Sequence, residues 1–470
     1  MRIVVDMQGA QTESANRGIG RYVISFLQAL IRKNNKHEII LMLNSSFEDT
    51  IEPIRGKFDS LLPQDKIRIC SLPDRLSTIY PNNLKRKKIA EKVRIAFIES
   101  LCPDILFLAS PFEGFIDDSI TTLCAEQDSY KTVAMIYDLI PLIFSQHYLK
   151  NTPDYEVFYK KKLEELKKAD LFFTISECSK NDISNLLNLD STQITNISAA
   201  CDSMFKPLSV NSEEALAFKS ELGIRNPFIL YTGGADFRKN LPGMIKTFAN
   251  LPAELRLKHQ LVISGNIPES YIDHFRAIAQ NSNLLSDEVL YLGHVSDVQL
   301  CKLYNLCKVY FFPSLYEGFG LPILEAMSCD APVIASRVSS LPEIIPLDDA
   351  MFDPSNEDEM ISKLSHVLTD DVFRETLIQS GRNQIKKFSW DSVAVNALKA
   401  IQKLNYPSQQ PIKNFLEFQQ KNICKLIEDI SISSSKLDDE DLKDVADCIA
   451  INHPIRNSKK IFVDISELVN

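Results

Sequence analysis

Short apolar runs alternate with helical patterns from residue 2 to about residue 400, and this alternation restricts the fold more than any single motif. A strand that reaches its next neighbour through a helix pairs with it in parallel, so the pattern predicts parallel sheets wrapped by helices. The first series places strands near 2–8, 38–44, 66–70, 103–109, 132–138, 170–175 and 192–198. A second starts at Pro227 and continues through Gln260–Ser264, Val289–Leu292, Val309–Phe312 and Pro332–Ala335. A polar join near 205–226 separates the two, so two doubly wound α/β domains are expected, with ligands bound beyond the carboxyl ends of the strands, in a cleft between the domains.

Size and composition agree. At 470 residues the chain exceeds what one core supports, while 45% hydrophobic and 24% charged residues describe an ordinary globular protein. A net charge of −10 argues against nucleic acid as partner. The ten cysteines are scattered, with no Cys-x-x-Cys pair and no zinc spacing, and read as reduced core residues of a cytoplasmic protein. The opening strand leaves no room for a signal peptide, and no apolar run approaches the ~20 residues of a spanning helix, so any membrane contact is expected to be peripheral.

The densest chemistry lies at Phe312–Met327, read as a strand end, a turn and a helix start. Gly318 and Gly320 permit a tight turn whose amides can approach a ligand, and Pro322 suits a first helical turn. Glu317 stands in the turn and Glu325 about one turn into the helix. Amides at the positive end of a helix suit a sugar diphosphate, and carboxylates suit sugar hydroxyls. Surface glutamates on a generic strand–turn–helix fit the spacing equally well.

The setting Glu-Gly-Phe-Gly-Leu-Pro…Glu-Ala-Met, flanked by Tyr291-Leu-Gly-His-Val-Ser-Asp and Ala331-Pro-Val-Ile-Ala-Ser, resembles the signature of retaining GT-B glycosyltransferases of family 4. The resemblance covers roughly 1–404, is most specific over 227–345, and is nearest to bacterial mannosyltransferases of polysaccharide and O-antigen assembly. It implies an N-terminal acceptor-side Rossmann-like domain over 1–205, a donor nucleotide-sugar domain over 206–388, and a crossover helix over 389–405 opened by Trp390. Residues 406–470 form a mainly helical extension or linker outside it.

By resemblance, Glu317 and the amides of Phe319, Gly320 and Leu321 hold the donor hexose, and Glu325 the nucleotide ribose. Tyr231–Asn240 carries a second motif: Gly233 and Gly234 end a strand, and Arg238 and Lys239 follow just before a helix. Two fixed cations can hold a departing diphosphate without metal, and they resemble the family's donor-phosphate pair; many relatives place arginine where Gly234 stands. Gly18 and Gly20, after the first strand and before a helix read from Tyr22, resemble the family's N-terminal glycine loop beside the donor phosphates. Where many relatives have His-Asp, this chain has Tyr137-Asp138, so the histidine's role has no carrier here. Asp138 is a candidate for touching the hexose or acceptor, or else caps a strand end.

The resemblance thus implies a metal-independent, cofactor-free, retaining transfer of a hexose, mannose from GDP-mannose, onto a glycan acceptor in surface polysaccharide synthesis. The acceptor is expected to be lipid-linked. The leaving phosphate would deprotonate its hydroxyl at the front face, in place of a two-carboxylate double displacement. Another donor such as a UDP-hexose, a sugar-nucleotide epimerase, and a non-catalytic nucleotide-sugar module share the architecture. Leu84–Phe97 is a basic amphipathic stretch, either a solvated helix face or a contact for an anionic membrane surface. Lys460–Ile465 repeats the pattern of Arg2–Met7, which predicts that 460–470 begin a second glycosyltransferase domain. Asp439-Glu-Asp441 has the letters of a metal clamp but reads as solvated surface.

Overall fold

The computed structural model describes residues 1–16, 18–123, 129–209, 211–404, 422–430 and 439–454. They form two compact units. The first comprises described residues of 1–174, 180–197 and 391–470; the second comprises 175–179 and 198–390.

Seven parallel strands build the first unit: β1 (Arg2–Asp6), β2 (Glu38–Asn44), β3 (Ile67–Cys70), β4 (Ile105–Leu108), β5 (Lys131–Met135), β6 (Leu171–Thr174) and β7 (Ile194–Asn196). They lie in the order β3-β2-β1-β4-β5-β6-β7. Ile3 pairs in register with Ile39 on one side and Ile105 on the other, so β1 is covered on both edges. Being buried on both faces, β1, β2, β4 and β6 are near-continuous apolar runs, which is why they stand out in the sequence. The reversal of strand order falls between β1 and β4. At the end of β1, Asp6 and Arg94 form an ion pair at 2.5 Å with side chains 2% and 1% exposed.

The second unit repeats the plan with β8 (Phe228–Thr232), β9 (Gln260–Ser264), β10 (Val289–Gly293), β11 (Val309–Phe312), β12 (Val333–Ser336) and β13 (Met351–Phe352), in the order β10-β9-β8-β11-β12-β13. Its order reverses between β8 and β11, where Val309 pairs with Ile229. β13 is absent from the sequence reading, because two residues make no recognisable pattern.

Two helices depart from expectation. The helix after the glycine loop runs Gly18–Lys33, starting four residues before Tyr22 and taking both glycines into its first turn. The Leu84–Ser100 helix buries Ile89, Ala90, Val93 and Phe97 in the core of the first unit. Of its four leading cations, only Lys85 and Lys88 are exposed. Arg86 forms an ion pair with Asp441, so Asp441 is not solvated surface. The Trp390–Gln402 helix joins the first unit, where Asp391 meets Lys33 at 2.7 Å.

Residues 422–430 and the Asp439–Asn452 helix are also part of the first unit. Leu426, Ile430, Val445, Cys448 and Ile449 enter its main apolar cluster beside the Leu84–Ser100 helix. Asn452 closes the end of β3, its Oδ1 accepting from Ser71 N at 2.7 Å and its Nδ2 donating to Ser71 O at 2.8 Å. Residues 460–470 lie outside the described residues.

Candidate functional site

β8 and β11 are neighbours at the reversal point of the second sheet, so the turns that leave their carboxyl ends converge. After β8 come Gly233, Gly234 and the short turn Phe237–Lys239; after β11 comes the loop 313–320 and the Leu321–Ser328 helix. This adjacency brings Arg238, Lys239 and Glu317 together. Lys239 Nζ lies 2.6 Å from Glu317 Oε1, and Arg238 Nη1 lies 2.8 Å from Oε2. Ser314 Oγ donates to Oε1 at 2.8 Å. The Glu317 amide donates to Ser339 Oγ at 2.8 Å. Burial alone would raise the Glu317 carboxyl, but Lys239 and Arg238 outweigh it and hold it below the ordinary carboxylate range. The cluster is thus a buried carboxylate clamped by two cations, with Lys239 also 5.3 Å from the centre of the Phe312 ring.

Serine hydroxyls hold the carbonyls of the same loop. Ser340 Oγ lies within hydrogen-bonding distance of Glu317 O (2.9 Å) and Phe319 O (2.8 Å), and Ser176 Oγ donates to Gly318 O at 2.7 Å. The sequence analysis assigns no chemistry to Ser176 or Ser340, because their role depends on loops brought together by the fold. With the carbonyls turned inward, the amides of Phe319, Gly320 and Leu321 donate to no partner among the described residues. Gly320 has φ +114°, and a Cβ there would come 2.8 Å from Leu341 Cδ2, so glycine is required on both counts. The result is a row of amides at the start of a helix, suited to an anionic or hydroxyl-rich ligand.

Glu325 lies on the following helix, where Tyr304 Oη donates to Oε2 at 3.0 Å. Tyr304 and Tyr310 in turn meet Thr232 Oγ1 at 2.8 and 2.9 Å. This network fixes Glu325 from beneath, and the carboxylate itself is half-buried. Gly233 has φ +145° beneath the Tyr231 ring, whose hydroxyl donates to Gly234 O at 3.0 Å. Space beside Gly234 is open, with nothing within 4 Å of where a Cβ would stand.

The remaining sequence candidates sit in the first unit. Gly20 packs against residue 15, and a Cβ there would fall 2.3 Å from Ala15 Cα, so its lack of a side chain is a packing requirement. Gly18 is exposed at the helix start. Asp138 Oδ1 accepts from Ile140 N at 3.0 Å, which makes it a turn cap. Tyr137, at the histidine position of many relatives, donates to Ala109 O at 3.0 Å. A carboxylate that the sequence reading overlooked, Glu113, lies beyond β4 and accepts from Ser110 Oγ at 2.6 Å and Thr12 Oγ1 at 2.9 Å. Burial raises its carboxyl above the ordinary value. No group of metal-ligating side chains occurs among the described residues.

Residues 212–384 match the profile of the family described as glycosyl transferases group 1. Over 469 residues, all of this chain and 55% of the other protein, the chain is 31% identical to a serotype-specific mannosyltransferase, WbdA, of Escherichia coli. It is 28% identical over 383 residues, 82% of this chain and 95% of the other, to the O-antigen chain mannosyltransferase B of Escherichia coli. The chain therefore spans about half the length of the serotype-specific mannosyltransferases it matches. Among solved structures, Anabaena Alr3699/HepE in complex with UDP and glucose covers 86% of this chain and 100% of its own at a TM-score of 0.63 and 14% identity, a likeness of fold. The architecture is GT-B: two Rossmann-like parallel-sheet units with a helical C-terminal extension.

Proposed function

We propose, on the premise that residues 212–384 are a glycosyl transferases group 1 domain, that the chain transfers a hexose from a nucleotide-sugar donor to a glycan acceptor. Mannose from GDP-mannose is the donor we infer, because the matches over most or all of this chain are to proteins named as mannosyltransferases. The acceptor is a growing surface polysaccharide such as O-antigen, carried on lipid. Residues 206–388 bind the donor in this reading, and 1–205 serve the acceptor.

The observation that carries the reading is the clamp of Arg238 and Lys239 on Glu317, next to the unused amides of 319–321. The Lys239 ammonium has N–H donors beyond the one spent on Glu317, and the Arg238 guanidinium, which also donates to Tyr316 O at 3.1 Å, adds a second fixed positive charge; both suit the oxygens of a diphosphate. Glu317 keeps both cations ordered before the donor arrives, so little reorganisation accompanies the build-up of charge on the leaving group. The Phe319, Gly320 and Leu321 amides and Glu317 would hold the hexose, and Glu325, braced by Tyr304, the ribose. Breaking the sugar–phosphate bond leaves negative charge on the diphosphate, which accepts the proton of the acceptor hydroxyl on the same face, retaining configuration. The two cations neutralise that charge, so the scheme runs without a metal ion. Gly18, Gly20 and Asp138 are assigned to the acceptor side and to the loop near the phosphates.

The test is transfer by the purified chain to a mannose-ended oligosaccharide, with GDP-mannose, UDP-glucose and UDP-galactose compared as donors. A product from GDP-mannose with the donor's anomeric configuration, read by NMR, supports the reading. Transfer from a UDP-hexose alone reassigns the donor, and GDP-mannose epimerised without transfer replaces the activity.

A further inference from the structure

A cavity of about 360 Å³ opens in the first unit between the loop 78–83, the start of the Leu84–Ser100 helix and the Pro153–Leu166 helix. None of the candidate site residues named above lines it. Its walls combine two features that rarely meet on an exposed surface. Lys87 projects into it, with Nζ 2.7 Å from Thr78 Oγ1, 3.2 Å from Gly114 O and 5.6 Å from the centre of the Phe158 ring. Among the described residues no carboxylate lies within ion-pair distance of that ammonium. Beside it is Lys162, 7% exposed, whose charge is met by Glu165 at 3.1 Å. At the rim stand Tyr80, Leu84 and Val157, which are 44%, 69% and 69% exposed.

A half-buried ammonium with only neutral partners lacks the compensation that buried charges ordinarily have, and a bound anion would supply it. Burial and then the charge of Lys162 lower the Lys87 amine to about 8, more than the charges of Glu91 and Glu165 restore. Exposed apolar side chains gathered at one opening mark a surface that is covered in use. We propose that this cavity binds the phosphate-bearing head of an anionic amphiphile, with Lys87 taking a phosphate oxygen and Tyr80, Leu84 and Val157 flanking the apolar chain. The ammonium and the apolar rim together require both halves of such a ligand. Three carboxylates stand on the wall: Glu165, spent on Lys162, Glu91, which accepts from Thr122 at 3.0 Å, and Asp154; the lysines Lys87, Lys161 and Lys162 match them in number. Such a site would give a lipid-linked acceptor a hold away from its sugar end. It rests on the transferase reading only for that use, because its test involves no sugar transfer.

The experiment titrates the full chain with farnesyl diphosphate, inorganic diphosphate and farnesol. It follows protection of Lys87 from trinitrobenzenesulfonate by peptide mass mapping, which separates this cavity from any diphosphate bound at Arg238 and Lys239. Farnesyl diphosphate should protect Lys87 saturably, and the other two should require at least about tenfold more, since each lacks one half of the contact. Val157→Ser, at an exposed position with little bearing on folding, should weaken protection by farnesyl diphosphate several-fold and leave that by inorganic diphosphate unchanged. Calorimetry on Lys87→Met should show about a tenfold loss for farnesyl diphosphate. Equal protection by inorganic diphosphate would make this a free-phosphate site, and equal protection by farnesol a purely apolar one. Either result, or unaltered affinity in both variants, overturns the proposal.

Discussion

Lys239 and Glu317 meet at 2.6 Å with side chains 13% and 8% exposed, so each is the main compensation for the other's burial. That relation makes one residue serve two ends, since the carboxylate proposed to hold the hexose also orders the cations proposed to hold the diphosphate. Removing it leaves two inward-facing cations with one anion fewer.

Glu317→Ala should therefore lower transfer by at least about 100-fold, as loss of a preorganised transition-state contact does. It should also destabilise the second unit by about 3 kcal/mol, the scale of breaking a buried ion pair. Parallel rate and thermal-melting measurements check both. Near-normal turnover would remove Glu317 from the site.

Tyr304→Phe deletes the hydrogen bonds to Glu325 and Thr232 while keeping the ring that packs against Phe205 and Tyr310. The expected cost is about 1 kcal/mol in donor binding, roughly a fivefold rise in KM with kcat little changed, because ribose contacts serve ground and transition states alike. Glu325→Ala should act in the same direction and further. A fall in kcat at constant KM would contradict the ribose assignment.

Chelation tests the charge scheme directly. If Arg238 and Lys239 carry the diphosphate as proposed, EDTA should leave most of the activity in place. Complete loss restored by magnesium or manganese would replace the two-cation scheme with a metal clamp.

Acid should loosen the C-terminal segment. His453 is 5% exposed, and burial lowers its imidazole from 6.5 to about 4. Below pH 6.5 the unfolded chain takes up a proton that the folded chain refuses, so its stability contribution is complete above 6.5 and declines as pH falls toward 4, by up to about 3 kcal/mol. Protection factors of the 439–454 amides, with exchange corrected for its intrinsic pH dependence, should fall between pH 7 and 4.5 in the parent and much less in His453→Leu. The same fall in both would exclude His453 as the cause.

The parallel strands were legible because buried strands advertise themselves: Gln260–Ser264 and Glu38–Asn44 have the same limits in the sequence reading and in the structure. β13 was not, being two residues held by its neighbour β12. The motif residues were legible as letters. Their mutual pairing was not, because it depends on β8 lying beside β11, a relation between segments some 80 residues apart. The surroundings of the basic run at 85–88 were hidden for a similar reason: Asp441, which neutralises Arg86, is over 350 positions away in the chain.

The insertion of residues 439–454 into the first unit gives this chain an awkward birth. The Leu84–Ser100 helix is made early, yet its covering helix begins 339 residues after its end (439 − 100). At ribosomal speeds of about 5–20 residues per second, Phe97 and its neighbours wait roughly 20–70 s without that cover. The second unit, nearly continuous in sequence, has by then left the ribosome whole. The later-born unit can thus be complete first, while the earlier one keeps the apolar surface under its last described helix uncovered until that helix is made.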